Sequence, residues 1–384
     1  MKDVSIVIVN YRVKFFLEQT IRSAQEALRH LDGEIIVIDN NSGDDSIPFL
    51  KQRFPDVIYI ENTENVGFAR ANNQGFEIAK GKYTLILNPD TIIGERTILD
   101  CINWYESHPD CGGIGVMMSD GNGVFLPESK RSFPTPWVSF CKIFGLSALF
   151  PYSPYFAKYH LRYLSKEQPH KVDILAGAYI FVRTDILRKC QGFDNDFFMY
   201  GEDIDLSYRF TKAGYQNYYI PTPIIHYKGE STKKDSMKYV RVFYEAMLIF
   251  YRKNYPNYSK LYYFFIKFAV WIRAAIAMSK RVVKRILPAK KTTKEQFTLI
   301  QIVSDEPDCI RSKFSETNAD VHICDKISNL KTSINGKTAI IFDNRAVSYQ
   351  NIIDKIVSSS DSNIRFFIYS SQSDLIISPK MKQI

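Results

Sequence analysis

"VSIVIVNY", Val4 to Tyr11, is dominated by β-branched apolar residues and closes on Asn10 and Tyr11. It reads as a strand buried on both faces, ending in polar side chains. From Phe15 to Leu31 the pattern becomes amphipathic and helical, and "GEIIVIDNNS" (Gly33 to Ser42) is a second strand that also ends polar. Further out, "VIYIEN" (Val57 to Asn62) is a third strand. "FARANNQGFEIAKG" (Phe68 to Gly81) is a helix stopped by Gly81, and "YTLILNPDT" (Tyr83 to Thr91) a fourth strand. This alternation predicts an α/β fold with a mostly parallel sheet and helices on both faces. Such sheets bind ligands at the carboxyl ends of their strands, where Asn10 and Tyr11, Asp39 to Ser42, and Asn88 to Asp90 stand.

The chain of 384 residues is long enough for two domains. Hydrophobic content of 45% with 24% charged residues describes a folded globular protein and not a disordered one. Six cysteines, none in a C-x-x-C pair, argue against a zinc site or a disulfide framework and fit reduced thiols. "MKDVSIVIVN" reads as a first strand and not as a signal peptide. The net charge of +9 points to an anionic partner, but much of it falls between Lys253 and Lys294, and no nucleic-acid recognition motif is present.

Phe125 to Lys171 is aromatic, interrupted by proline and poorly periodic, so loops and short helices covering one side of the site are expected. "VDILAGAYIFVRTDIL" (Val172 to Leu187) gives another strand and a helix ending near Gly192. On a helical wheel, Leu261, Phe264, Phe265, Phe268, Ile272 and Ile276 share one arc, while Lys260, Lys267, Arg273, Lys280 and Lys284 fall opposite. Lys267 and Arg273 interrupt the run, so a helix lying in a membrane interface fits better than a spanning one. The competing reading is a helix packed on the protein with its basic face in water. These shifts divide the chain into 1–257, a basic segment 258–296, and a small α/β domain 297–384 with no catalytic constellation.

"FMYGEDIDLSYRF" (Phe198 to Phe210) crowds Glu202, Asp203 and Asp205 at the start of a helix running to about Ala213. Acids there favour the positive helix end, which would account for them as caps. Asp39, closing a strand, suits the N–H of a pyrimidine base, and Tyr11 suits stacking on that base. Asp90, at the end of "LILNPD", suits a divalent cation bridging a diphosphate, since Mg²⁺ takes one or two protein carboxylates plus phosphate oxygens. His226 in "HYKGEST" is a further ligand candidate that would favour Mn²⁺.

The motifs "SIVIVNYR", "EIIVIDNNSGDDS", "NTENVGFARANNQGFEIAKGKYTLILNPDT", "LAGAYIFVRTDILRKCQGFDNDFFMYGEDIDLSYRFTKAGY" and "HYKGEST" together resemble the family 2 glycosyltransferases, in particular their bacterial rhamnosyltransferase-like branch. The resemblance runs from about Val4 to Thr232. It implies a GT-A fold in which Val9, Asn10, Tyr11, Asp39 and Ser42 meet the nucleoside. Asn65, Gly67, Phe68 and Asn73 would shape the donor pocket, and Gly177 and Ala178 would line the sugar. Asn88-Pro89-Asp90 stands where the family carries its metal motif, leaving Asp90, with its first acid replaced, as the surer ligand. Glu202-Asp203 matches the family's acid pair, with Asp203 the catalytic base and Glu202 on sugar hydroxyls. Asp205 is left to cap the helix or pair with Arg209.

The implied reaction is inverting, metal-dependent transfer of a sugar, L-rhamnose from dTDP-rhamnose in the first instance. The acceptor would be a glycan or polyprenyl-diphosphate-linked oligosaccharide at the cytoplasmic face of a bacterial membrane. Arg131, Lys142 and Lys158 would line its approach. A UDP-hexose donor, or a non-catalytic nucleotide-sugar-binding protein, are the alternatives. A nicotinamide-binding dehydrogenase is excluded, because no G-x-G-x-x-G turn follows the first strand.

Overall fold

The computed structural model describes residues 2–229, 237–255, 264, 268, 296–315, 317–331, 336–359 and 361–379. The first strands are β1 (Lys2–Asn10), β2 (Gly33–Asp39), β3 (Ile58–Glu61), β4 (Gly81–Leu87), β5 (Thr91–Ile92), β6 (Cys111–Ser119), β7 (His170–Val172), β8 (Tyr179–Arg183) and β9 (Gln216–His226). Between them lie α1 (Lys14–Ala27), α2 (Ser46–Arg53), α3 (Phe68–Ile78), α4 (Thr97–Ser107), α5 (Pro136–Ile143), α6 (Leu146–Leu149), α7 (Thr184–Lys189) and α8 (Glu202–Lys212), with α9 (Met237–Asn254) following. The strands form one sheet in the order β3-β2-β1-β4-β8-β6-β9-β5, with β7 against β9.

Ile6, Ile8, Val37 and Leu85 enter one apolar core with residues of α1, α2 and α4. Val7, Val9, Ile38 and Ile86 enter a second with residues of α3, α7 and α8. The period of two sends neighbours to opposite faces, and both faces are covered, which is why β1 and β2 read as nearly continuous apolar runs.

The α/β class is as expected, but the sheet is mixed and not mostly parallel. β8 runs antiparallel to both β4 and β6, and β5 and β7 run antiparallel to β9. β6 and β9, which pair in parallel, carry no clear strand signal. Three glycines of β6 (Gly112, Gly113, Gly115) and two prolines of β9 (Pro221, Pro223) depress strand propensity, and the register slips at that proline pair, between Val116 and Met117. Gly81 does not stop α3 but opens β4, where an added Cβ would lie 2.4 Å from the Ser5 nitrogen.

A second sheet follows: β10 (Leu299–Val303), β11 (Asp320–Cys324), β12 (Thr338–Asp343), β13 (Ile364–Ser370) and β14 (Leu375–Ile377), ordered β11-β10-β12-β13-β14. Two helices join it, α10 (Asp308–Ser312) and α11 (Tyr349–Ser358). Ile352, Ile353 and Ile356 of α11 share one buried cluster with Phe16, Ile92, Ile225 and Tyr227 of the first unit. The Glu95 carboxylate receives the backbone N–H groups of Tyr349 and Gln350 at 2.9 and 2.7 Å, at the positive end of α11. The basic amphipathic helix expected over 260–287 lies outside the described residues, Phe264 and Phe268 excepted.

Candidate active site

β1 and β2 pair in register to their last residues, so Asn10 sits beside Asp39. Asn10 Nδ2 donates to Asp39 Oδ1 at 2.7 Å and to Ser42 Oγ at 3.0 Å. Ser42 donates its hydroxyl to Asp39 Oδ1 at 2.5 Å and its N–H to Oδ2 at 3.0 Å. The three residues thus form one rigid polar corner at the strand ends, with lone-pair capacity remaining on Oδ2. Arg12 closes it. Its Nε donates to the Ser42 carbonyl at 2.8 Å and its guanidinium lies 5.1 Å from the Tyr11 ring centre. Arg12 carried no signal in the sequence.

Asn65, Gly67, Phe68 and Asn73 serve in this structure to fasten α3 to the loop ahead of Glu202. Phe68 N–H donates to the Phe198 carbonyl at 2.7 Å, and Asn73 exchanges hydrogen bonds with the Phe193 backbone at 2.7 and 2.9 Å. Gly67 has φ of +89°, and a Cβ there would lie 2.6 Å from the Phe198 oxygen. Asn65 accepts from Gly67 N–H at 3.1 Å and from Asn40 at 3.0 Å.

The Asn88-Pro89-Asp90 turn is held from two sides. Asn88 N–H donates to the Ala178 carbonyl at 3.0 Å, and the Thr20 hydroxyl of α1 lies 2.9 and 2.8 Å from the Pro89 and Thr91 carbonyls. Antiparallel pairing of β5 with β9 sets Thr91 opposite His226. His226 Nε2 consequently lies 3.3 Å from Asp90 Oδ1 and 3.4 Å from Asn88 Nδ2, while its Nδ1 is buried without a hydrogen-bond partner among the described residues. A carboxylate and an imidazole at this separation fit two ligands of one divalent ion. Among the described residues no third His, Cys, Asp or Glu completes a cluster. That suits a site whose remaining ligands come from a diphosphate and water. Nearby, Glu128 and Lys228 form an ion pair that sequence inspection did not foresee.

Gly201 takes a left-handed conformation (φ +85°) and starts α8, bringing Glu202 and Asp203 inward. Asp203 Oδ2 accepts from the Arg131 guanidinium at 2.5 Å and from Gly177 N–H at 3.1 Å; Oδ1 accepts from Ile204 N–H at 2.8 Å. Arg131 also donates to the Leu175 carbonyl at 2.9 Å. It therefore orients the carboxylate from within the protein instead of lining an open approach. Glu202 is buried, and its Oε2 has no hydrogen-bond partner among the described residues. Burial, with the Asp203 carboxylate adding to it, pushes its pKa up to about 8. Asp205 makes no capping bond; it pairs with Arg209 at 2.7 Å and accepts from Asn254 at 3.3 Å. Gly177 touches Asp203, and Ala178 next to it touches Asn88, so one short stretch of backbone links the acid pair to the turn that carries Asp90.

Residues 5–190 match the model of glycosyl transferase family 2, and the chain carries a domain of that family. Over 264 residues it is 28% identical to the N-acetylglucosaminyl-diphospho-decaprenol L-rhamnosyltransferase of Mycobacterium tuberculosis (strain H37Rv), covering 65% of this chain and 84% of that protein. Over 238 residues it is 29% identical to rhamnosyltransferase WbbL of Escherichia coli (strain K12), covering 58% and 83%. Among solved structures it is similar to mannosyltransferase PcManGT from Pyrobaculum calidifontis, with a TM-score of 0.43 and 15% identity over 74% of this chain and 76% of that one.

Proposed function

We propose that the chain is an inverting, metal-dependent glycosyltransferase that moves L-rhamnose from dTDP-rhamnose to a hydroxyl of a lipid-diphosphate-linked glycan at the inner face of the cell membrane, in cell-surface polysaccharide synthesis. The likeness to two rhamnosyltransferases supports the sugar, and the printed name of one of them supports the lipid-linked acceptor. The observation that carries the chemistry is the fixed Asp203 carboxylate, two short contacts from the Asp90–His226 pair through Gly177 and Ala178.

In this reading the nucleoside lies in the Asn10–Asp39–Ser42 corner beside Tyr11. Asp90 and His226 would hold the divalent ion, Mg²⁺ or Mn²⁺, which when bound neutralises charge on the nucleotide diphosphate. Asp203 uses lone-pair capacity left on Oδ1 to take the proton from the acceptor hydroxyl. The hydroxyl oxygen bonds to the anomeric carbon as the bond to the diphosphate breaks on the opposite face, so configuration inverts. Arg131 and Gly177 N–H keep the carboxylate oriented. Glu202, protonated near neutral pH, donates a hydrogen bond to a sugar hydroxyl and leaves the base role to its neighbour.

Calorimetric titration of dTDP-rhamnose against UDP-, GDP- and other dTDP-sugars, with and without Mn²⁺, tests the donor. Metal-strengthened binding of dTDP-rhamnose alone is expected. Preference for a UDP-hexose would overturn the sugar assignment.

A further inference from the structure

We infer that the α5–α6 hairpin is a membrane-docking face that seats the site on an anionic lipid bilayer. The inference rests on the proposed lipid-linked acceptor and names the element that reaches it. Trp137, Phe144, Leu149, Phe150, Tyr152 and Tyr155 are exposed, the last two and Leu149 by 70% or more. The rings of Trp137, Phe144 and Phe150 belong to one run of neighbouring aromatics. Phe144 lies near Phe140 at 4.6 Å between ring centres, Phe140 near Trp137 at 5.7 Å, Trp137 near Phe156 at 6.2 Å and Phe156 near Phe150 at 5.1 Å. A contiguous apolar crest of this kind marks an interaction surface.

Charge identifies the occupant. From Ser129 to Lys166 there is no Asp or Glu, while Lys142, Lys158 and Arg162 are exposed at the foot of the crest. Aromatic side chains with flanking cations suit the boundary between headgroups and acyl chains. The segment 256–294 holds ten Lys and Arg and no acid, so like charge opposes its folding over the crest. A second copy would present the same cations. That segment also leaves the described fold beside α5, since Tyr251 lies 3.4 Å from Ser139, and Tyr255 packs near Tyr251 at 5.6 Å.

The crest is rooted in the site. Ser132, next to Arg131, donates its N–H to the Tyr159 carbonyl at 3.1 Å and its hydroxyl to the Lys158 carbonyl at 2.9 Å. An acceptor whose diphosphate rests at the headgroup level would lie beside Lys142 and Lys158, with its sugar directed toward Asp203.

The full-length chain with Trp104→Phe and Trp271→Phe keeps Trp137 as its sole tryptophan. On vesicles of equal parts phosphatidylglycerol and phosphatidylcholine its emission should shift to the blue and be quenched by brominated acyl chains. On phosphatidylcholine alone it should not. Leu149→Ser with Tyr152→Ser and Tyr155→Ser should lower partition about tenfold or more, leaving thermal stability and donor binding unchanged. Flotation with Trp137 unquenched would overturn the inference, because the 256–295 segment would then be the whole anchor. So would Trp137 shielded from iodide before vesicles are added, the sign of a protein cover. Intact quenching with no donor binding would sink the transferase reading and leave the docking face standing.

Discussion

Glu202→Gln should gain stability relative to the wild type as pH rises from about 5 to about 8. The wild-type carboxyl is buried with one oxygen unpartnered among the described residues, and its pKa stands at about 8 against an ordinary 4.5. Folding therefore takes up a proton throughout the interval between those values. The folded state gains from the protonated group below the ordinary value and loses that gain as pH climbs toward the folded one. At 1.36 kcal/mol per decade, the carboxyl costs about 1 kcal/mol near pH 5, about 3 near pH 7 and about 5 above pH 8. Glutamine keeps the shape and removes the charge. Its amide also buries an N–H pair, a penalty of about 1–3 kcal/mol that does not vary with pH. The difference between variant and wild type should thus grow by about 2 kcal/mol from pH 5 to pH 7 and level off above pH 8, read by urea unfolding. A difference flat across that range would refute both the raised pKa and the neutral donor role assigned to Glu202.

Asp203→Asn should fold like the wild type and lose transfer by about 10²–10⁴-fold, measured as product formed under saturating donor; full activity would remove Asp203 as base. Asp90→Ala should abolish the strengthening of donor binding by Mn²⁺ in calorimetry, and equal affinities with and without metal in the wild type would contradict the pairing with His226. Gly67→Ala should destabilise by more than about 1 kcal/mol, seen as a lower melting temperature, because the left-handed backbone and the Phe198 carbonyl both oppose a Cβ. A chain ending at residue 296 should lose stability and metal-dependent donor binding together, since Phe16, Ile92 and Ile225 would be uncovered; wild-type melting of that piece would show the second sheet to be dispensable.

The strands that were legible are those whose side chains do one job. β1, β2 and β4 are buried on both faces and read as apolar runs, and their polar ends mark the crevice without any structure. β6 and β9 do two jobs. Gly112 and Gly113 leave space that Tyr215, Leu175 and Phe210 occupy, and the prolines of β9 sit where the ladder slips, so packing overrides propensity. The site shows the same division. Asp39, Asp90 and Glu202-Asp203 stand in local motifs, whereas Arg131 meets Asp203 across 72 positions with nothing local to announce it. Of the two roles that its place in α8 allows, Asp205 takes the pairing with Arg209 one turn on and not the cap, since Gly201 starts the helix. Local spacing names a partner one turn away, as for Asp205 and Arg209; a partner across the fold, as Arg131 is for Asp203, leaves no such trace.

The second sheet bears on the site through α1. One stretch of that helix puts Phe16 into the buried cluster of α11, donates Gln19 Nε2 to the Ile368 carbonyl at 3.3 Å, and accepts the Ser370 hydroxyl on Glu18 at 3.1 Å. The next residue, Thr20, holds the Pro89 and Thr91 carbonyls on either side of Asp90. Ile92 and Ile225, from the strand pair that sets Asp90 beside His226, lie in the same cluster as Ile352, Ile353 and Ile356. A composition-based boundary near residue 297 follows a linker in the sequence. Packing runs across that boundary, and the sheet beyond it buttresses the turn that carries Asp90. Loosening that sheet should therefore reach donor binding through Asp90 and His226 before it reaches the Arg131–Asp203 pair, which rests on α8 and the Leu175–Gly177 backbone instead.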